Sequence, residues 1–450
     1  MAILMPTLRL AIFSLLCLQF PVASAAPPPP GHLWSVWPPL DYTDPLYCGW
    51  DQIPVVKEVE IYNGVAHNRT YAHHPELYAV GNKVFLLFSS APVDEDSMGQ
   101  DVWISTSMDG GITWTPSTSL FPAALLPNQT DPLNYAYWCE RGIAQRAWQA
   151  NTFIHLPNGE LYAIAQSGSR WCPSAFKTAG RIARQISLDG GKPLGDPCWL
   201  EKNEYTDSQE YSKTIYGTKY GMKMCKKACQ INAVLREPDT TPAWTSWLYN
   251  NLLFAADGAH SMQENTFAVW INDTDSPTGG YWQRHWRDIS SGTAITHAVW
   301  VEYNEEPSGK GWYPKVLAPQ GNKIFQTTIP DAGTKQFLGQ LGNGNRYLLS
   351  NPKFNATAAQ RQPLTLAVSR GTDQRYTAIG VLRTDANPHI VPDTRNGVKD
   401  HAFGFSYPTA VQVGNNLIAA YSENKENIWI SVVDIEAFPE DRNACVKDST

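Results

Sequence analysis

The chain has 450 residues and a formal net charge of −7 without any block of lysine or arginine, which excludes nucleic acid as a partner on charge grounds. Seventeen tryptophans and twenty tyrosines suit both a core and stacking against sugar rings. No long Gly/Ser/Pro linker divides the chain, so one large domain is expected.

In chain order, the N-terminus reads as a secretory signal. A weakly basic start, the apolar run Leu10 to Phe20 and the small residues Val22-Ala23-Ser24-Ala25 predict cleavage after Ala25 and a single domain over residues 26–450. The apolar run is too short to span a bilayer, and Pro21 ends it. A flexible leader, Ala26 to Pro30, follows, and the mature chain is expected to be secreted, monomeric and without a membrane partner. Cys17 leaves with the signal. Cys48, Cys139, Cys172, Cys198, Cys225, Cys229 and Cys445 remain, and an oxidising compartment predicts that most pair. Cys172–Cys198 and Cys225–Cys229 are the local bridges expected, with Cys48–Cys445 as a tie between the ends. Sequons at Asn68, Asn128, Asn272 and Asn355 mark exposed loops.

Short strand pairs recur around Gly/Asn turns: Glu76 to Ser90, Thr152 to Gln166, Phe337 to Ser350 and Ser406 to Ser422. Outer strands Val102 to Ser105, Leu364 to Ser369 and Ile428 to Val433 complete the units, and no helical pattern of useful length is present. At roughly 55–60 residues per unit, this all-β pattern predicts a propeller of seven blades, with six as the alternative. A tandem pair of β-sandwiches is the competing architecture.

Two turns sharpen the fold. Ser107-Met108-Asp109-Gly110-Gly111-Ile112-Thr113-Trp114 follows an alternating strand, and Ser187-Leu188-Asp189-Gly190-Gly191-Lys192-Pro193-Leu194 repeats it with leucine in place of tryptophan. In such a hairpin the Asp carboxylate accepts backbone N–H bonds and glycine takes positive φ. The pair resembles the Asp-box of sialidase-like β-propellers. The motif belongs on the blade rim, away from the axis.

In a propeller the first strand of each blade lines the axis, so polar residues entering those strands are the candidates for chemistry. His73-His74-Pro75-Glu76, Arg141 and Arg146, and the stretch His260 to Asn265 stand there, as do Tyr313 beside Trp312, Asn351, and Ser406-Tyr407-Pro408. Pro75 confines His74 to extended backbone. In the dense run Arg284-His285-Trp286-Arg287-Asp288, alternation puts Arg284, Trp286 and Asp288 on one face and His285 and Arg287 on the other. Adjacent strand residues such as His73 and His74 point apart, and no third ligand clusters with them in sequence. No metal site is therefore expected, beyond a structural calcium ion bound by carbonyls and carboxylates. HExxH, Gly-x-Ser-x-Gly, P-loop and dinucleotide motifs are absent.

Phe405 to Val411, Tyr421 to Trp429, His73 to Tyr78, Pro92 to Gln100 and Arg361 to Ser369 resemble the fungal secreted L-rhamnose-α-1,4-D-glucuronate lyases. The resemblance implies a seven-bladed propeller that trims rhamnose from the glucuronate ends of gum arabic and related arabinogalactans, an acidic polysaccharide. The reaction would be β-elimination leaving a 4,5-unsaturated glucuronate, with no required cofactor. That chemistry needs a cation on the uronate carboxylate, a base for the C5 proton and an acid for the departing oxygen. Arg141, or else Arg287, fits the first role. His74 fits the second, with His260, Tyr313 or Tyr407 as its partner, and His73, Arg146, Arg284, His285, Arg287 and Asn351 would hold substrate. A sialidase instead needs clustered arginines, a Tyr–Glu nucleophile pair and an Asp acid, and its Arg-Ile-Pro signature is missing. The alternatives are a hydrolytic exo-glycosidase on the same scaffold and a glycan-binding propeller without activity.

Overall fold

The computed structural model describes residues 35–36, 52–92, 94–95, 99–122, 145–171, 175–202, 223–243, 253–254, 260–290, 297–309, 323–352, 360–370, 375–376, 378–388 and 403–438. The recurring hairpins fold into antiparallel blades. Blade 1 comprises Tyr71–Val80, Lys83–Ala91, Asp101–Ser107 and Thr118–Phe121; blade 2 comprises Gln145–His155, Leu161–Trp171, Ala175–Ile186 and Cys198–Lys202. In blade 3, Ser261–Asn265 and Val269–Asn272 both pair with Gly280–Asp288, and Ala298–Asn304 and Lys323–Pro330 follow. Blade 4 runs through Phe337–Gln340, Arg346–Ser350, Leu364–Ser369 and Ala378–Arg383. Blade 5 joins Phe403–Val413, Asn416–Glu423 and Asn427–Asp434 to the strand Val55–Asn63 from the other end of the chain. That antiparallel pairing closes the ring.

The described residues therefore form five blades, which corrects the expectation of seven, or six. Inner strands begin at Tyr71, Gln145, Ser261, Phe337 and Phe403. Every interval is longer than the blade length assumed from sequence, so fewer repeats fit.

The core lies between blades. Phe85, Val102, Trp148 and Ile182 fill the space between blades 1 and 2. Val301, Leu348 and Ile379 do so between blades 3 and 4, and Leu86, Ile418 and Ile430 between blades 5 and 1. Both faces of a blade are covered, which is why Lys83–Ala91 is buried at nearly every position.

The Asp-box turns hold this packing. The Gly111 and Thr113 N–H groups donate to Ser107 Oγ (2.8 Å) and Asp109 Oδ1 (2.9 Å), and Trp114 Nε1 donates to the Gly111 carbonyl (2.9 Å). Gly111 has φ +88, and a Cβ there would sit 2.9 Å from Ile418 Cδ1 of blade 5. Gly191 meets Ile104 and Thr106 of blade 1 in the same way. The second glycine of each box thus seats its blade against the preceding one.

One disulfide is found among the described residues, Cys198–Cys225, with Cα atoms 4.9 Å apart. It corrects the expected Cys172–Cys198 and Cys225–Cys229 pairs. Cys225 N–H donates to the Trp199 carbonyl, which lays the two cysteines side by side, while Cys229 is free and exposed. Cys229 sits on a short helix, Ala228–Leu235, that the strand pattern did not reveal; Ile231 and Leu235 bury it against blade 2. Cys48, Cys139, Cys172 and Cys445 lie outside the described residues, as do the signal segment, Asn128 and Asn355. Asn68 and Asn272 are exposed. Among the described residues no helix is long and apolar enough to cross a membrane.

Gly111→Ala is expected to cost about 1–3 kcal/mol through overpacking and the unfavourable φ. Gly159→Ala, at φ +85 with nothing within 4 Å, carries only the backbone part of that cost. Urea denaturation of the two variants measures the difference, and equal losses would remove the inter-blade role of Gly111.

Candidate functional site

A regular strand turns successive side chains to opposite faces. The inner strands of blades 1, 3 and 5 each break that rule with a bulge. Register slips between His73 and Glu76, between Gln263 and Asn265, and between Ser406 and Thr409. At each slip stands a non-glycine residue with left-handed backbone: His74 (φ 57), Glu264 (φ 59) and Tyr407 (φ 55). Such residues are strained and persist where surrounding structure holds them. The result is convergence of three blades on one centre.

Tyr407 hydroxyl donates to Glu264 Oε2 at 2.9 Å. Arg287 Nη1, from the strand beside Glu264, donates to both Tyr407 oxygen (2.6 Å) and Glu264 Oε2 (2.7 Å). Arg361 lies over the Tyr407 ring with Cζ 5.3 Å from its centroid. Burial pushes the Tyr407 phenol well above its ordinary range; Glu264 adds to this, and Arg287 and Arg361 oppose it. Burial alone would lower the Arg287 pKa, but the Glu264 and Tyr407 oxygens outweigh it and raise it.

The two imidazoles complete the centre. The bulge brings His73 and His74 rings to 4.6 Å, so they do not point apart as a regular strand requires. His73 also stands 4.1 Å from the Tyr407 ring. His73 Nδ1 meets Ser422 Oγ at 2.6 Å, and His73 Nε2 has no hydrogen-bond partner. His74 Nδ1 meets Ser89 Oγ (3.2 Å), and His74 Nε2 meets Glu95 Oε1 (3.0 Å). Lys425 Nζ takes the other Glu95 oxygen at 2.6 Å. Burial lowers both histidine pKa values, and for His74 the neighbouring Glu95 opposes it. Burial pulls Glu95 upward, but Lys425 and His74 outweigh it and hold the carboxyl well below the usual range. His73, His74 and Glu95 each offer a ligand atom, all within 4.8 Å of one another.

The other candidates fall around this centre. His260 Nδ1 pairs with Asp288 Oδ2 at 2.8 Å, next in sequence to Arg287, and Asp288 also accepts from Trp300 Nε1 (3.2 Å). Arg284 faces away, in a buried pair with Glu302 (2.6 Å) that also takes Trp286 Nε1. His285 is buried beside Gln283, and burial pushes its pKa down to about 3. Asn351 Nδ2 donates to the carbonyls of Arg361, Pro363 and Phe405, joining blade 4 to blade 5. Arg146 lies near the start of Gln145–His155, while Arg141 and Tyr313 lie outside the described residues. Glu264, Glu95, Lys425 and Arg361 were not singled out from sequence. The available signal was the match of His74-Pro75 with Tyr407-Pro408, a ring before proline on an inner strand.

The Beta-prop_BT_1020-like, N-terminal beta propeller family model matches residues 55–247. A search of curated proteins gave no match. Among solved structures, one described as a sialidase has a TM-score of 0.57 at 16% identity over 86% of this chain and 33% of its own. A Dyadobacter fermentans protein of unknown function has a TM-score of 0.48 at 14% identity, over 85% of this chain and 99% of its own. The intramolecular trans-sialidase of Ruminococcus gnavus, solved with oseltamivir carboxylate, has 0.47 at 10% identity, over 85% and 98%. The chain spans about a third of the length of the sialidase it matches. The protein has the sialidase-like β-propeller fold.

The expectation of a β-eliminating lyase acting on gum arabic, releasing rhamnose from glucuronate, is corrected. The residue assigned as its base, His74, has its Nε2 paired with Glu95 at 3.0 Å. The site is centred instead on a Tyr–Glu pair beneath arginine, the arrangement that sequence reasoning reserved for a sialidase, on the fold that sialidases share.

Beside Arg287, burial raises the Asp331 carboxyl to about 7, against the opposing pull of Arg287. Unfolded, an aspartate titrates at about 3.9. The folded protein therefore holds a proton across the window from about 4 to 7 that the unfolded chain has lost, and stability falls as pH rises through it. Asp331→Asn should flatten that part of the melting-temperature profile. Parallel wild-type and variant profiles between pH 4 and 7 would refute the assignment.

Proposed function

We propose that the protein is a hydrolytic exo-glycosidase that removes a terminal, carboxylate-bearing sugar, with Tyr407 as nucleophile. The observation that carries this reading is the Tyr407–Glu264 hydrogen bond with Arg287 donating to both oxygens. A neutral phenol is a weak nucleophile until a base takes its proton, and Glu264 stands in position to do so. Arg287 then stabilises the phenolate as it forms, and Arg361 adds a second cation over the ring.

The choice of nucleophile follows from charge. A carboxylate nucleophile would be repelled by a substrate carboxylate at the reacting carbon, whereas tyrosine approaches neutral and passes its proton to Glu264. Arg287 and Arg361 give the substrate carboxylate a cationic partner. Attack forms a bond from Tyr407 oxygen to the anomeric carbon as the bond to the leaving oxygen breaks, and that oxygen takes a proton from solvent. Water then attacks the anomeric carbon and gives up a proton to solvent, the phenolate departs and recovers its proton from Glu264, and the sugar is released with its configuration retained. The Cys198–Cys225 bridge supports an extracellular setting, as the signal-like N-terminus predicts.

The test is a panel of glycans ending in acidic sugars, followed by proton NMR. Free sugar of retained anomeric configuration, without the ultraviolet absorbance of a conjugated double bond, is expected. Tyr407→Phe should reduce turnover on the order of 10³-fold or more with melting temperature nearly unchanged. A folded Tyr407→Phe variant that keeps its rate, or an unsaturated product, would sink the reading.

A further inference from the structure

The paired imidazoles are a consequence of the bulge in Tyr71–Val80. His74 takes φ 57, and the rings of two sequence neighbours come to one side, 4.6 Å apart. Each ring is anchored through its Nδ1 by a serine hydroxyl: Ser422 at 2.6 Å for His73 and Ser89 at 3.2 Å for His74. Glu95 is anchored in the same manner, with Lys425 Nζ 2.6 Å from Oε2. Beyond these anchors each residue presents one further ligand atom, although Glu95 Oε1 also accepts the Tyr71 hydroxyl at 3.1 Å and an ion there would replace the His74–Glu95 contact. For His74 and Glu95 those atoms, Nε2 and Oε1, lie 3.0 Å apart. For His73 it is Nε2, which is buried without a hydrogen-bond partner although the residue is fully enclosed.

We propose that His73, His74 and Glu95 form a binding site for a divalent transition-metal ion, zinc being the best match. Two imidazoles and one carboxylate are a donor set that zinc accepts, with a fourth position left for water or substrate. With bonds of about 2.1 Å, tetrahedral ligand atoms stand roughly 3.4 Å apart. The 3.0 Å His74–Glu95 separation is near that value, and a ligand atom of each of the three residues lies within 4.8 Å of the others. Anchoring of ring Nδ1 and of the second carboxylate oxygen is how metal ligands are oriented by their surroundings. A buried imidazole nitrogen without a partner is costly, and a metal ion relieves it. Lys425 remains on the outer oxygen of Glu95, where its charge weakens the attraction for the ion without occupying the ligand position.

Chelator-stripped protein titrated with zinc chloride at neutral pH tests the site independently of turnover, so failure here leaves the role of Tyr407 untouched. Calorimetry should show one zinc per chain, a raised melting temperature, and, with cobalt(II) in place of zinc, the visible absorption of a tetrahedral ion. Glu95→Gln and His73→Ala should abolish binding in protein shown to be folded by circular dichroism. Ser422→Ala should weaken it by about 10- to 100-fold, and it decides the matter should either ligand variant not fold. Lys425→Gln should tighten it. Absence of binding and of any melting shift with zinc overturns the proposal. So does binding of unchanged affinity in Glu95→Gln and His73→Ala, or in Ser422→Ala where those do not fold.

Discussion

The site depends on a local defect repeated around the ring. A propeller's inner strands give each blade a single face of alternate residues toward its neighbours, and that pleat cannot by itself deliver a tyrosine, a glutamate and two imidazoles to one point. The bulges at His74, Glu264 and Tyr407 do so. Each inserts a left-handed residue whose side chain leaves the pleat and turns toward the axis. Because all three occur on inner strands, small local strains add up to one shared centre.

Charge sets the second constraint. The centre collects Arg287, Arg361 and Lys425 with Glu264 and Glu95, all largely removed from water. Burial of any one ion alone would be prohibitive, and Glu264 and Glu95 accordingly each meet a cation within hydrogen-bonding distance. Further along the strand that carries His74, Glu76 is paired with Lys335, which stands just before the inner strand of blade 4. The same pairing rule therefore ties blade 1 to blade 4.

Sequence reasoning reached the elements that local signals encode. Hairpins around Gly81-Asn82, Gly159 and Gly414-Asn415 announce themselves through turn chemistry, and the Asp-boxes at Asp109 and Asp189 point to the propeller class. Non-local facts stayed hidden. Cys198 and Cys225 are separated by 27 residues, and only the pairing of Trp199 with the segment ahead of Cys225 brings them together. Blade count failed because connections such as those in blade 3 lengthen the repeat. At the site, Tyr407, His73, His74 and Arg287 were picked out from sequence, whereas Glu264 and Glu95 were not. Strict alternation, the assumption that served the strands well, is the one that the bulges violate, so it misdirected the two histidines.

Strain at the three bulges costs of order 1–3 kcal/mol each, and an isolated hairpin would relax it by sliding its register. The ring prevents that relaxation. Tyr407 lies on a strand whose sheet is completed by Val55–Asn63, drawn from the opposite end of the described chain, while Leu86, Ile418 and Ile430 lock blade 5 against blade 1. A slip in blade 5 would expose that apolar face and part Ser422 from His73 at the same time. Closure is therefore what converts three locally unfavourable backbones into a fixed site, and the strand that closes the fold is as much a part of the site's geometry as the residues that line it.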